Sequence, residues 1–374
     1  MTEIVNKASL KTVLLQHIDC PLCRCKKCHK VVEATDHQWG IEGRFTVVQC
    51  DQCKHGYMNP RPTLETLAAC YPSDYGPHQL QPAAVLPLDD STTKNHAAVS
   101  TPWYLRYLPL RYIPGLRRFF YWLTDERSQV TPSPFVVNSR PGSGASPQAF
   151  ELGCAAGAYL ARLQTLGWQV AGIEPGDGPV KMAQAAGLDV RQGTLDTVSI
   201  EPESFDFAAS WMVIEHVPDP RTTLTQLFTL LKPGGQLAIS VPNAGCWEPR
   251  IFGANWDAWD LPRHLHHFSP GSIRRLLKEC GFQEIQITHQ RTLLNIFGSV
   301  GIVLTRRNPA NRLGIWFLRY PHSPRLLVQL LAAPLAQLLA FFRQGGRLTI
   351  TASKPQDAKS PSANQASVEP ETST

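Results

Sequence analysis

The chain has 374 residues, 43% hydrophobic and 18% charged, with a formal net charge of +6. This is the balance of a soluble globular protein, which excludes a chain disordered throughout, and the length allows one full core plus one or two small modules. The basic excess is uneven: between Glu284 and Asp357 there is no acidic residue but nine Lys or Arg. Such a face suits an anionic neighbour, whether a membrane surface, a phosphorylated lipid carrier or nucleic acid.

Residues 1–15 hold an early acid, two lysines and no sustained apolar run, so no N-terminal signal is expected. The expected compartment is the cytoplasm, where cysteines stay reduced and paired ones bind metal more often than each other. Residues 1–71 read as a cysteine-rich module, with six of the ten cysteines between Cys20 and Cys53. Cys20-Pro-Leu-Cys23 and Cys50-Asp-Gln-Cys53 are two Cys-x-x-Cys pairs. Each forms a knuckle whose sulfurs point at one centre, and two knuckles make a closed structural zinc site with no open coordination position. Cys25 and Cys28 form a third such pair, so spacing alone leaves open which four bind. Residues 45–49 are strand-like and lead into the second knuckle.

Residues 72–147 read as a linker, rich in Pro at 72–102 and in Pro, Ser and Gly at 127–147. Between them, residues 103–122 interleave aromatics with Arg106, Arg111, Arg117 and Arg118. From 148 the pattern changes to α/β alternation. Strands are predicted at 148–152, 169–173, 188–191, 205–211, 236–241 and 284–288, with helices near 158–166, 179–186, 220–231 and 271–281. An insertion spans about 293–343. Within it Arg325 and Arg343 flank 326–342, which carries no charge and sets leucines at helical spacing around Pro334. The run is at the lower limit for a membrane span. It suits either an interfacial helix at an anionic membrane or a cap whose leucines face the core over the substrate pocket. Residues 354–374 are polar, and disorder is predicted there.

The first predicted strand runs into a turn bracketed by Gly153 and Gly157, and Glu174 follows at the end of the second strand. An acid there can accept hydrogen bonds from a ribose diol. The turn reads Gly153-Cys154-Ala155-Ala156-Gly157 and lacks the middle glycine that lets backbone amides close on a pyrophosphate. A nucleoside ligand without phosphates fits better than a dinucleotide.

These residues resemble the class I S-adenosylmethionine-dependent methyltransferases. Glu151–Gly157 is similar to their first motif, Glu174-Pro175 to their ribose acid and residues 210–220, with Glu215-His216, to their fourth-strand motif. Lys232-Pro233-Gly234-Gly235 is similar to the turn before their fifth strand. The motifs fall in order across about residues 148–290. The resemblance implies a Rossmann-like, doubly wound α/β domain over 148–353, with a seven-stranded sheet whose last strand, 348–352, returns at the edge. It implies S-adenosylmethionine as cofactor. Glu151, Gly153, Cys154 and Gly157 would frame its methionine end, Glu174 and Pro175 the ribose, and Leu195 and Asp196 the adenine. Trp211 and Met212 would pack against the ligand and His216 would shape its pocket.

Cys50, Cys53, Tyr57, Asn59, Pro60, Arg61 and Pro62 resemble the second half of a zinc ribbon found ahead of some methyltransferase domains. That favours Cys20, Cys23, Cys50 and Cys53 as the zinc ligands. Residues 256–269 resemble the segment of sugar C-methyltransferases and quinone O-methyltransferases that supplies an active-site histidine. His264 holds the matching position and His267 is the second candidate. Arg263 stands where the sugar enzymes carry Glu, and Asp260 is spaced to orient His264. The function expected is methyl transfer to a small molecule, namely a sugar, glycan precursor or lipid-linked acceptor, in the cytoplasm with peripheral contact at the inner membrane face. The alternatives are an RNA methyltransferase, disfavoured because no Asn/Asp-Pro-Pro-aromatic motif is present, and a non-catalytic S-adenosylmethionine-binding protein.

Overall fold

The computed structural model describes residues 13–71, 146–322 and 325–357. The predicted linker, including 103–122, and the tail beyond 357 lie outside the described residues. The N-terminal module begins with β1 (Leu15–Gln16), β2 (Cys28–Ala34), β3 (Phe45–Cys50), β4 (Gly56–Met58) and β5 (Arg61–Pro62), then a single helical turn, α1 (Leu64–Leu67). The α/β domain follows as β6 (Gln148–Leu152), α2 (Ala158–Thr165), β7 (Gln169–Glu174), α3 (Asp177–Ala185), β8 (Asp189–Gln192), β9 (Phe205–Trp211), α4 (Pro220–Leu230) and β10 (Leu231–Pro242). After α5 (Glu248–Phe252) come β11 (His266–His267), α6 (Pro270–Glu279) and β12 (Gln283–His289). The insertion holds α7 (Leu294–Arg307), α8 (Arg312–Arg319) and α9 (Leu326–Phe341), and β13 (Arg347–Ser353) closes the domain.

The seven-stranded sheet has the order β12-β13-β10-β9-β6-β7-β8. β13 runs antiparallel to both neighbours, while the pairs among β10, β9, β6, β7 and β8 are parallel. Parallel strands covered on both faces read as unbroken apolar runs, and β9 is buried at every position except Asp206. Helices start where the side chains say they should. Asp219 accepts hydrogen bonds from the amides of Arg221 and Thr222 with Pro220 inside the first turn, and Ser269 and Ser272 form a capping box on α6.

Two placements correct the sequence reading. β13 does not lie at the sheet edge: it inserts between β10 and β12, leaving β12 outermost. Its alternating pattern belongs to a strand whose inner residues, Leu348 and Ile350, are fully covered. Lys354 is not part of a free tail. It is 1% exposed, with Nζ donating to Leu231 O at 2.8 Å and Glu203 Oε1 at 3.2 Å and lying over the Phe228 ring.

The module is joined to the domain through a shared sheet. β11, from the segment carrying the candidate histidines, pairs antiparallel with β4, giving the order β11-β4-β3-β2. Both faces of β3 are therefore buried. Phe45 and Val47 pack with Trp256, Trp259, Leu261 and Leu265. Val48 and Cys50, on the alternate face, belong to the same cluster as Phe268, Ile273 and Leu276. Each such large side chain contributes roughly 1.5–3 kcal/mol when fully buried.

Cys20, Cys23, Cys50 and Cys53 converge, with their sulfurs all within 4.8 Å of one another. The Cys20–Cys53 and Cys23–Cys50 sulfur pairs are 3.4 and 3.5 Å apart. A tetrahedral zinc site with bonds of about 2.3 Å needs sulfurs about 3.8 Å apart, so the four fit the ion. Burial pushes the Cys50 thiol up, but the amides of Cys53 and Gln52 point at it and hold it down at about 7. Cys25 and Cys28 stand outside this group. The purified protein is expected to carry one zinc per chain by elemental analysis. Cys50→Ser should lose it and unfold at lower temperature, whereas Cys25→Ser should keep it. Zinc retained in Cys50→Ser would end the assignment.

Candidate functional site

The chain runs from β6 outward through β7 and β8, then returns to β9 on the other side of β6. Such a switch point opens a crevice at the carboxyl ends of the strands. The turn after β6 lies there, with Gly153, Ala155 and Gly157 all at positive φ (69°, 47° and 78°). A Cβ on Gly153 would come within 2.5 Å of Val213 Cγ2, and one on Gly157 within 2.3 Å of Leu188 Cδ1. Glycine is thus required by packing as well as by ligand approach. Glu174, at the end of β7, accepts from the Ala155 amide at 3.0 Å through Oε2 and from the Gly176 amide at 2.9 Å through Oε1. The acid that shapes the turn stands at the mouth of the crevice, and turn and acid together fit an adenosine-type ligand.

The remaining cofactor candidates divide. Glu151 is buried at the end of β6. The Cys154 side chain points away into a cluster with Leu160, Val180 and Leu188, so only its backbone faces the crevice. Pro175 is exposed beside the acid. Met212 holds positive φ (57°) at the end of β9, its amide donating to Ser240 O at 3.0 Å; such strain in a non-glycine residue is characteristic of functional sites. Trp211 is different: its ring is edge-on to Tyr159 at 5.1 Å, in a packing layer with Leu163 and Trp168. Leu195 packs against the main core, and Asp196 is exposed, accepting from Gln226 Nε2 at 2.8 Å.

The acceptor side is built where the Glu215-His216 segment meets residues 256–268. The Glu215 carbonyl accepts from the amides of Leu265 (2.8 Å) and His266 (3.1 Å). The His264 ring lies edge-on to that of His216, centroids 4.5 Å apart. His264 Nδ1 is 2.9 Å from the Ala258 carbonyl oxygen. A carbonyl only accepts, so Nδ1 carries the proton and the neutral ring presents a lone pair at Nε2. That nitrogen stands 3.7 Å from Asp260 Oδ2 and 4.0 Å from Glu215 Oε1. His267 faces elsewhere: its ring is edge-on to Trp259 at 4.8 Å.

Sequence reading missed the most heavily bonded residue here. Arg263 is fully buried, with Nη1 and Nη2 each 2.9 Å from an Asp36 oxygen, Nε 2.9 Å from Asp260 Oδ1 and Nη2 2.6 Å from the same atom. The Arg in place of the sugar enzymes' Glu is thus an anchor to the module. The departure from the family pattern was its only signal. Tyr71 joins as well, its hydroxyl 3.1 Å from His216 Nδ1.

Burial sets the protonation states. It pushes His216 and His266 down to about 3, and takes His55 and His267 well below the ordinary range. It lowers His264 as well, against the pull of Asp260. It raises Glu215 to about 8, and neither carboxyl oxygen of Glu215 has a hydrogen-bond partner among the described residues. Asp260 is the exception: burial acts to raise it, but Arg263 holds it down at about 2.

Sheet order, glycine turn and the acid at the end of β7 define a class I S-adenosylmethionine-dependent methyltransferase. A methyltransferase-domain family model matches residues 104–287. The ubiquinone biosynthesis O-methyltransferase of Stutzerimonas stutzeri (strain A1501) is 34% identical over 159 residues, covering 38% of this chain and 68% of that protein. The protein of the same name from Pseudomonas putida (strain GB-1) is 30% identical over 178 residues, covering 42% and 77%. Among solved structures, an S-adenosylmethionine-dependent methyltransferase of Thermotoga maritima aligns at 17% identity and a TM-score of 0.38 over 65% of this chain and 97% of that one. Phosphoethanolamine N-methyltransferase 2 of Haemonchus contortus, in complex with S-adenosyl-L-methionine, aligns at 16% and 0.39 over 64% and 57%. The chain belongs to the S-adenosylmethionine-dependent methyltransferase family.

The pKa shifts set a pH optimum for stability. His216 and His266, folded at about 3 against an ordinary 6.5, contribute stability that is complete above pH 6.5 and lost as pH falls towards 3. Glu215, folded at about 8 against 4.5, contributes stability that is complete below pH 4.5 and lost as pH rises through 8. Between 4.5 and 6.5 the lowered histidines His55, His216, His264, His266 and His267 outnumber the raised acids Glu215, Glu248 and Asp257. The unfolding temperature is therefore expected to peak near pH 6.5. Glu215→Gln should flatten the decline from 6.5 to 8, leaving the smaller slope of Asp257, which burial raises to about 7. An alkaline slope unchanged in that variant would place the titrating proton elsewhere.

Proposed function

We propose that this methyltransferase acts on a hydroxyl group of a small, lipid-linked acceptor, with His264 as general base. The observation that carries the reading is the His264 ring, its Nδ1 proton committed to Ala258 and its unprotonated Nε2 beside an ionised Asp260. S-adenosylmethionine, when bound, supplies a methyl group already activated on a positively charged sulfur, which leaves the protein to align and deprotonate the acceptor. Glu174 and the 153–157 turn hold the adenosine end. His264 Nε2 takes the hydroxyl proton, which requires the acceptor oxygen within about 3 Å of it. Asp260 then stabilises the imidazolium that forms. His216, kept neutral by burial, supports the ring edge-on. The relatives named as ubiquinone biosynthesis O-methyltransferases support an oxygen acceptor.

Tritiated S-adenosylmethionine should label a catechol bearing an isoprenoid tail in detergent, in preference to a nucleotide sugar or an RNA oligonucleotide. Label entering only the sugar or the RNA would overturn the acceptor class. His264→Gln should cost roughly 10²–10⁴-fold in turnover while S-adenosylhomocysteine binding by calorimetry stays unchanged. Turnover retained in His264→Gln removes it from the mechanism.

The lipid-linked reading rests on α9. No helix among the described residues is long and apolar enough to cross a membrane. Yet α9 exposes Leu327 (68%), Leu331 (75%), Leu338 (52%) and Phe341 (80%), and among its described side chains it buries only the small Ala336. It runs unbroken through Pro334. A cap over the pocket would have faced these leucines inward. Exposed Arg325 and Arg343 flank the helix, within the stretch that carries no acid. An apolar face framed by arginines suits shallow insertion into an anionic bilayer. The protein should co-sediment with phosphatidylglycerol-containing vesicles and not with pure phosphatidylcholine. Leu331→Glu with Phe341→Glu should abolish this; no sedimentation of the unaltered protein at low salt would sink the membrane contact.

A further inference from the structure

The turn over residues 36–41 in the module makes Asp36 a fixed point. Its carboxylate accepts from the amides of Gln38 (3.0 Å), Trp39 (3.1 Å) and Ile41 (3.1 Å), and its side chain is fully covered. Both oxygens then grip Arg263, which spans to Asp260 Oδ1. The other Asp260 oxygen is the one 3.7 Å from His264 Nε2. Asp260 itself sits at φ 35°, a left-handed conformation that a non-glycine residue holds only where its surroundings impose it. A continuous line of alternating charge therefore runs from the zinc module to the nitrogen proposed as base.

We infer that Asp36 is a positioning residue for methyl transfer, acting through Arg263 and Asp260 to hold His264 in place and set its basicity. This rests on the assignment of His264 as base. The charges facing the ring explain the effect. Asp260 favours the imidazolium, whereas Arg263, from the same loop, and Arg347, on β13, oppose it. The neutral rings of His216 and His267 and the raised acid Glu215 complete the surroundings. Asp36 cancels the Arg263 charge, leaving Asp36, Arg263 and Asp260 with one net negative charge beside the ring. Without Asp36 the three would sum to zero, and the guanidinium would be free to draw Asp260 away.

The test uses the full chain with S-adenosylhomocysteine bound, its histidines ¹³C-labelled and the His264 resonance assigned from its loss in His264→Gln. In Asp36→Asn the His264 pKa should fall by about 0.5–1 unit. On an acceptor that the parent protein methylates, kcat should drop about tenfold with KM for S-adenosylmethionine unchanged. Zinc content and S-adenosylhomocysteine affinity should stay as in the parent. Should Asp36→Asn not fold, Asp36→Glu keeps the charge but lengthens the arm, and should move the same titration down by a smaller step. An unmoved His264 titration in a folded variant of either kind overturns the inference, even where His264→Gln is inactive. Turnover retained by His264→Gln sinks the base assignment instead and leaves the titration result to stand for itself.

Discussion

Arg263 is the residue on which the two halves of the protein depend. A guanidinium stripped of water is costly to bury. Here two carboxylates from different parts of the chain, Asp36 and Asp260, bind its nitrogens. Removing one partner of such a buried group typically costs about 3–5 kcal/mol, because the rest is left uncompensated. Against a total stability of about 5–15 kcal/mol for a folded protein, that is a large fraction. The pairing of β4 with β11 and the packing of Phe45 and Val47 on Trp256 and Trp259 act in the same place. The module is therefore a wall of the transferase site.

That wall has an electrostatic consequence. By covering residues 256–268 it keeps water from His55, His216, His266 and His267, and burial drives all four towards the neutral form. His266 is matched at both nitrogens: its Nε2 donates to Val217 O at 3.0 Å and its Nδ1 accepts from His55 Nε2 at 3.3 Å, whereas His55 Nδ1 and His267 Nε2 have no hydrogen-bond partner among the described residues. Neutral rings bring no competing charge, so the field at His264 is set by a few ionised groups, Asp260 foremost. In a dry site each of these interactions is stronger than it would be in water. The same dryness leaves Glu215 protonated near neutrality, so that it adds no full charge beside His264.

The cofactor half was legible in the sequence because its parts are local. Phe205–Trp211 is a strand buried on both faces and reads as one apolar run. The glycine turn and Glu174 are joined by hydrogen bonds within about one β-α-β unit. The cysteine knuckles show as Cys-x-x-Cys pairs, but with three such pairs the spacing alone did not choose the four that converge. The acceptor half was not legible for the opposite reason. A two-residue strand such as β11 has no periodicity to detect, and its partner β4 lies more than two hundred residues earlier in the chain. Asp36 lies as far from Arg263, and neither position shows a pattern alone. Lys354 was read as tail because a lone lysine after a strand carries no sign that its ammonium is enclosed. The edge placement of β13 came with the family resemblance, since alternation reports one covered side of a strand without identifying its neighbours.

The segment bearing His264 is held from three directions. Asp257, at its start, is bonded from the module by Gln38 Nε2 at 2.8 Å and from α7 by Ser299, whose hydroxyl accepts the Asp257 amide at 2.9 Å. The Glu215 carbonyl holds Leu265 and His266 from the end of β9. None of these contacts touches the 153–157 turn or Glu174. The module, the end of β9 and the insertion therefore fix the position of this segment jointly. Because α7 and α9 belong to the same insertion, the element that exposes Leu327, Leu331 and Leu338 is covalently continuous with one that bonds the segment bearing His264.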